Sequence, residues 1–139
     1  MKKIFSIILV LVLTLFAIGT VFAQRDPSTP GWPPATVLTE YGLVGMTMPN
    51  EMRSISWNVE TDSMLVHIRF SGTAATLTAI KNWFTSNDWS LHKDESSGRD
   101  TKIRYRKDRV NEEDDPPYFF ETEVLFDGSM GYIRAAIDW

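Results

Sequence analysis

The sequence predicts an α+β fold: a two-layer sandwich in which a mainly antiparallel sheet of about six strands carries two helices on one face. Three observations support this prediction. Several short segments alternate apolar and polar residues, as half-buried strands do. One longer segment repeats its apolar residues at three- and four-residue spacing, as an amphipathic helix does. The connections between successive strands are short, which requires antiparallel pairing.

The first helix is predicted within residues 33–43, because its two leading prolines suit a first helical turn. Gly42 suits the left-handed conformation that ends a helix. Two strands follow at 53–59 and 64–70, each alternating apolar with polar residues. The short turn between them predicts a hairpin.

The second helix is predicted to begin after a cap formed by Ser71-Gly72-Thr73 and to run to about Ser86. Its apolar stripe consists of Leu77, Ile80, Trp83 and Phe84. Asn87 is expected to take the left-handed conformation that terminates this helix. We expect Trp83 and Trp89 to belong to the hydrophobic core.

Four more strands complete the predicted sheet, at residues 89–93, 102–107, 118–126 and 132–139. The loop 108–117 is acidic and proline-containing, which predicts a solvent-exposed segment. Alternation in the last strand places Trp139 on the core face.

The N-terminus has the pattern of a cleavable signal peptide. Lys2 and Lys3 precede a mostly apolar stretch, and Val21 and Ala23 occupy the positions that the peptidase requires to be small. We therefore predict a signal peptide over 1–23, an extended leader over 24–32 and a single α+β domain over 33–139. The alternative is an uncleaved anchor, since roughly 20 apolar residues can span a bilayer. We expect an exported protein, periplasmic or secreted, with no stable membrane anchor after cleavage.

Composition excludes several classes of site. The 139-residue chain contains no cysteine, so it has no disulfide, no thiolate zinc site, no iron–sulfur cluster and no cysteine nucleophile. Gln24 stands where a lipoprotein would need its acylated cysteine. Residues 1–23 hold two basic residues and no acidic ones, so the remaining 116 residues have a net charge of −6. This charge disfavours nucleic acid and anionic membrane surfaces as partners.

Most of the predicted mature domain resembles a loose group of small exported bacterial domains of unknown function. The matching features are a helix ending in Tyr41-Gly42-Leu43, Pro49, a strand ending at Phe70, an amphipathic helix and then Trp89. The residue before this tryptophan is usually glycine in the group and is Asp88 here. The resemblance implies an envelope or secreted domain and names no substrate.

A polar strand face is the main candidate for function. Lys102, Arg104, Arg106 and Lys107 are predicted to form a basic strand face, with Glu121 and Glu123 at matching positions of a later strand. Cross-strand ion pairs would explain both sets, and an anion- or polysaccharide-binding surface would also do so. The candidate binding residues are Arg69, Arg104, Arg106, Phe119, Tyr132 and Arg134. We expect a binding module without catalytic activity or cofactor, whose partner is an envelope protein or a polysaccharide.

Two other functions remain as alternatives. His67 and His92, the latter beside Asp94 and Glu95, could form a metal site of a small hydrolase-like enzyme if their strands were neighbours. The chain could also be a structural subunit of an envelope assembly. The carboxylate run 112–115 lacks the glycine hinge of calcium loops, which favours a solvated loop. No serine lies in a Gly-x-Ser-x-Gly or Ser-x-x-Lys motif.

The processing prediction can be checked directly. Protein recovered from its native host should begin at Gln24, because the signal peptidase cleaves after Ala23. N-terminal sequencing measures this, and recovery of Met1 would show that the apolar segment is retained as an anchor.

Overall fold

The computed structural model of the chain describes residues 28–108 and 119–138. The predicted signal peptide 1–23, the acidic run 112–115 and Trp139 lie outside the described residues. The elements, in chain order, are β1 (Thr29–Pro30), α1 (Ala35–Glu40), β2 (Arg53–Glu60), β3 (Leu65–Ser71), α2 (Ala74–Ser86), β4 (Ser90–Asp94), β5 (Thr101–Asp108), β6 (Phe119–Phe126) and β7 (Met130–Asp138). Within these ranges no helix is both long enough and apolar enough to cross a membrane.

The strands form one antiparallel sheet in the order β1-β2-β3-β7-β6-β5-β4. The predicted α+β class with an antiparallel sheet is therefore confirmed. The described part of the chain contains seven strands where about six were predicted. The additional strand is β1, in which Thr29 pairs with Trp57 and Pro30 with Ser56. Two residues give no alternation that sequence analysis could detect, and a proline fits here because an edge strand need not donate every N–H.

Buried apolar residues of neighbouring strands align across one face of the sheet. Ile68 pairs with Ile133, Ile133 with Val124, and Val124 with Ile103. The four side chains are at most 2% exposed. Residues that pair directly in an antiparallel ladder have their side chains on the same face. This row across β3, β7, β6 and β5 is the centre of the hydrophobic core.

The helices contribute their own buried residues to this core. Ile80 and Phe84 of α2 are completely buried. The Phe84 ring stacks on Tyr105 of β5, with ring centroids 4.4 Å apart and an angle of 6° between the ring planes. At the end of α1, a Cβ placed on Gly42 would lie 2.6 Å from carbons of the Phe120 ring. Glycine is therefore required there, because the backbone of this turn lies directly against an aromatic ring of β6.

Helix α1 ends as the sequence predicts. Gly42 has φ +78°, and its N–H donates to the Thr39 carbonyl at 3.1 Å. The Leu43 N–H donates to the Leu38 carbonyl at 2.8 Å, and both leucines are buried. These two bonds form a Schellman motif with its usual apolar contact at the helix end.

Helix α2 ends in the same kind of turn, one residue later than predicted. Asn87 has φ −118°, and Asp88 has the left-handed conformation with φ +63°. The Trp89 N–H donates to the Phe84 carbonyl at 3.2 Å, and the two rings meet edge to face at 5.2 Å.

The start of α2 is the predicted one. Thr73 is the N-cap, and its backbone N–H donates to the Thr76 hydroxyl at 3.0 Å. The Thr73 hydroxyl donates to the Glu51 carboxylate at 2.8 Å, which places a negative charge near the helix N-terminus.

The two tryptophans expected in the core differ in their burial. Trp89 is 5% exposed, so its predicted core position is confirmed. Trp83 is only half-buried and packs against the edge of the core. Its neighbour Phe84 is the aromatic residue of α2 that is fully buried, because α2 turns its stripe so that Phe84 meets Tyr105.

Replacement of Phe84 should therefore destabilise the protein more than replacement of Trp83. Phe84→Ala removes a ring that stacks on Tyr105 and should lower the free energy of unfolding by about 3–5 kcal/mol. Trp83→Ala should lower it less, because part of that indole remains in water in the folded state. Urea denaturation measures both values, and an equal or larger loss for Trp83→Ala would contradict this packing.

Replacement of Asp88 by glycine should stabilise the protein. A residue with a Cβ in the left-handed region is strained by about 1 kcal/mol or more, although aspartate tolerates it better than most. Asp88→Gly should thus raise the free energy of unfolding by up to ~1 kcal/mol. Asn87→Gly is the matched control, and it should not stabilise, because φ is negative there and the Asn87 side chain donates to the Trp83 carbonyl at 2.7 Å. A gain for Asn87→Gly and none for Asp88→Gly would place the turn one residue earlier.

Candidate functional site

The six predicted binding residues lie on the sheet face opposite the buried row. We call this surface the open face. The register establishes it: Arg69 pairs with Tyr132, and Arg134 pairs with Glu123, which pairs with Arg104. Arg106 pairs with Glu121, and Phe119 lies two residues before Glu121 on the same strand. The candidate residues are thus brought together on four adjacent strands: Arg69 on β3, Tyr132 and Arg134 on β7, Phe119 on β6, and Arg104 and Arg106 on β5.

Three arginines and two glutamates form a continuous set of ion pairs in the middle of the open face. Arg106 Nε lies 2.7 Å from Glu121 Oε2, and Arg104 Nε lies 3.2 Å from Glu123 Oε1. Arg104 Nη1 also lies 3.8 Å from Glu121 Oε1, and Arg134 Nη1 lies 3.3 Å from Glu123 Oε2. We call this set the arginine–glutamate ladder. The predicted cross-strand ion pairs are therefore present.

The two kinds of charge in the ladder differ in exposure. The side chains of Glu121 and Glu123 are 20% and 13% exposed, whereas the three arginine side chains are 36–42% exposed. The carboxylates therefore lie close to the sheet, and the guanidinium groups extend further towards water. The hydrogen bond and charge of Glu123 raise the pKa of Arg104 above its ordinary value, so this guanidinium is permanently charged. Half-exposed pairs of this kind each contribute only about 0.2–1 kcal/mol to stability, but together they hold the guanidinium groups in place.

Lys102 and Lys107, which the sequence groups with these arginines, have different environments. Lys102 Nζ lies 3.1 Å from Glu95, whose pKa is lowered to about 2 by hydrogen bonds from Lys93 and Lys102. Lys107 pairs in register with Phe120, and its ammonium group donates to the Asn87 carbonyl at 2.8 Å, at the C-terminal end of α2. The predicted basic strand face is therefore wrong in including Lys107. A cation at this helix end is explained by the helix dipole.

An arginine accompanies each of the two aromatic residues of the open face. The Arg69 guanidinium lies 5.9 Å from the centre of the Tyr132 ring, and that of Arg106 lies 4.3 Å from the centre of the Phe119 ring. Tyr132 is 39% exposed, so much of its ring is accessible to a ligand. These contacts fix the rings at two positions on the sheet surface.

A shallow groove of about 270 Å³ lies beside the ladder. Its lining consists of Ser63, Leu65, Arg104, Glu121, Glu123, Arg134 and Ala136. Ala136 pairs with Leu65 on one side and with Glu121 on the other, so a short side chain lies between longer ones and leaves the depression. The Nε atom of Arg134 is buried and has no hydrogen-bond partner within residues 28–108 and 119–138.

Sequence analysis did not identify Leu65 and Ala136 as site residues. A small residue at an outward-facing position of a strand was the available signal. Its meaning depends on which residues flank it in the neighbouring strands, and that depends on the strand order.

The two histidines are not brought together. His67 lies on β3 and His92 on β4, and β7, β6 and β5 lie between these strands. Four strand spacings separate them by roughly 19 Å, whereas each metal–nitrogen bond is only about 2 Å long. One ion therefore cannot bind both imidazoles. His67 Nε2 lies 3.1 Å from Glu60 Oε1, and His92 lies on an edge strand whose residues are all exposed.

The other described residues form no metal site either. Among these residues, no group of three histidine, cysteine, aspartate or glutamate side chains is arranged to hold a metal ion. The open face with its ladder and groove is therefore the candidate site.

Comparison of the chain with models of known families, with curated proteins and with solved structures finds no match.

Proposed function

We propose that the protein is an exported binding or interaction module without catalytic activity, and that it binds an envelope protein or a polysaccharide through the open face. The observation that carries this proposal is the arginine–glutamate ladder. It holds three half-exposed guanidinium groups at fixed positions beside a groove.

Preorganisation is the physical reason why such a ladder suits binding. Arginine is enriched at protein interfaces because its planar group forms several directed hydrogen bonds. A flexible arginine loses side-chain entropy when a ligand immobilises it. Here Glu121 and Glu123 already restrain the guanidinium groups, so a ligand would meet donors whose positions are largely set before it binds.

The arrangement of the layers belongs to the same proposal. We propose that both helices cover the face opposite the ladder, so that the open face is available to a partner. The stacking of Phe84 on Tyr105 and the contact between Gly42 and Phe120 support this arrangement, because Tyr105 and Phe120 alternate with the ladder residues along β5 and β6.

The compartment is proposed from the N-terminal pattern alone. Two lysines, an apolar stretch and small residues at 21 and 23 support export, and the lack of cysteine disfavours a lipid-attached form. A periplasmic or secreted module would therefore meet envelope proteins and polysaccharides as its available partners.

The two alternatives receive less support. An enzyme built around His67 and His92 would have to use each histidine separately, because their strands are not neighbours. A structural subunit of an envelope assembly would use the same face for a permanent contact. A stable hetero-complex in membrane extracts would favour that alternative over reversible binding.

The test is a triple variant of the open face. Arg104→Ala, Arg106→Ala and Phe119→Ala together remove two rungs of the ladder and one arginine–aromatic contact. Binding to the partners that the wild-type protein retains from envelope and extracellular fractions should weaken by about tenfold or more, because truncation of a hot-spot residue costs about 2 kcal/mol or more. Pulldown and co-sedimentation with purified envelope polysaccharide measure the change.

A control variant carries three alanine substitutions at positions outside the predicted binding residues. Arg99→Ala, Lys81→Ala and Val44→Ala together remove two cations and one apolar residue, and Val44 is 60% exposed. This control should bind as the wild type does. If the open-face variant is folded and still retains every partner, the open face is not the binding surface.

A further inference from the structure

The groove beside the ladder offers both hydrogen-bond donors and acceptors. Arg104 and Arg134 line it with groups that only donate, and Glu121 and Glu123 line it with carboxylates that only accept. Leu65 and Ala136 supply an apolar part of the lining. A ligand that fits this groove must therefore both accept and donate within a few ångströms, and it must have an apolar side.

One donor of the groove has no acceptor. Arg134 Nη1 lies 3.3 Å from Glu123, but Arg134 Nε is buried and has no hydrogen-bond partner among the described residues. A buried donor without an acceptor destabilises the folded state. The Arg134 side chain as a whole is 42% exposed, so a ligand oxygen would contact the accessible part of this guanidinium group and not Nε itself.

The carboxylates of the groove disfavour an anionic ligand. A phosphate, a sulfate or an acidic side chain would accept from the arginines but would also lie beside Glu121 and Glu123, where like charges repel. A hydroxyl group both accepts and donates, so neighbouring hydroxyls can contact an arginine and a glutamate at the same time. The volume of about 270 Å³ is just under the range of about 300–1,000 Å³ that larger ligands occupy. One hydroxyl-bearing ring matches this size.

We infer that the groove binds one sugar ring of an uncharged polysaccharide, with ring hydroxyls at Arg134, Arg104 and the two glutamates and the C–H side of the ring against Leu65 and Ala136. This inference rests on the proposed binding function and names its ligand class. Tyr132 lies two residues from Arg134 along β7, roughly 7 Å away, and its exposed ring offers a stacking surface for the next sugar. The polysaccharide therefore runs along β7, from the groove towards Tyr132.

The experiment uses the protein purified from its native host and a panel of defined probes. Cellohexaose, mannohexaose and chitohexaose are the uncharged oligosaccharides, polygalacturonate is the anionic polysaccharide, and polyglutamate represents an acidic peptide. Calorimetric titration measures the affinities, and ¹H–¹⁵N NMR follows the Arg134 Nε–H signal. At least one uncharged oligosaccharide should bind more tightly than both anionic probes, and it should shift that signal.

Two variants test the groove itself. Arg134→Lys keeps the positive charge but removes the planar guanidinium group and its directed donors, and it should weaken binding of the uncharged oligosaccharide about tenfold or more. Ala136→Leu fills the groove without a change of charge and should weaken binding by at least as much. Arg99→Lys and Ala75→Leu, at exposed positions of a turn and of α2, are the controls and should leave the affinity unchanged. Melting temperatures verify that each variant is folded.

The outcomes separate this inference from the proposed function. If polygalacturonate or polyglutamate binds more tightly than the uncharged probes, and the triple open-face variant abolishes that binding, the proposed function stands and the inference is wrong. The inference is also wrong if no oligosaccharide binds. If an oligosaccharide binds but Arg134→Lys, Ala136→Leu and the triple variant all leave its affinity unchanged, the open face is not the binding surface and both proposals fail.

Discussion

The register of β7 against β3 and β6 determines the composition of both faces of the sheet. Side chains alternate between faces along a strand, so a slip by one residue would move every apolar residue of β7 to the open face and every polar one into the core. In the observed register Ile133 pairs with Ile68 and with Val124 on the buried side. The same register places Arg134 beside His67 and Glu123 on the other side.

Two local features hold this register. In the turn between β6 and β7, Asp127 accepts hydrogen bonds from the backbone N–H groups of Ser129 and Met130 at 2.9 and 2.8 Å, and these bonds lower its pKa. Just after the turn, a side chain on Gly131 would collide with the Phe70 ring and with the Leu125 carbonyl oxygen. Phe70 therefore covers Gly131 closely, and a shifted β7 would bring a larger residue under that ring. The turn and this contact act together to fix the pairing.

Local patterns of the sequence predicted α2 and the strands from β2 onwards. All of these elements except the exposed edge strand β4 have a periodic apolar face that is visible without its neighbours. The structure differs from the sequence prediction at residues whose positions are determined by tertiary contacts. Phe84 is the fully buried aromatic residue of α2 because of its contact with Tyr105, and Lys107 points away from the arginines and binds the end of α2. Asp88 takes the left-handed position because Trp89 folds back on Phe84. None of these contacts is encoded in the residues of a single element.

The sequence was enough to predict which residues form the candidate site, but it predicted only part of their spatial arrangement. Alternation along β5 and β6 was enough to expect pairs between arginines and glutamates. The strand order was not predictable, because no local pattern shows that β3 pairs with β7, which lies far from it in the sequence. This pairing leaves the histidines of β3 and β4 on well-separated strands. The groove depends on the same fact, since Ala136 forms a depression only because Leu65 and Glu121 flank it.

The absence of disulfides connects the stability of the domain to the geometry of its open face. The chain has no cysteine, so the described strands are held together by their backbone ladders and by the apolar row beneath them. The ladder residues alternate along the same strands with the buried ones: Arg104 follows Ile103, and Glu123 precedes Val124. A core substitution that shifts β5 relative to β6 would therefore change the distances between guanidinium and carboxylate groups on the other side. The preorganisation on which the proposed binding depends is thus a property of the core as much as of the charged residues.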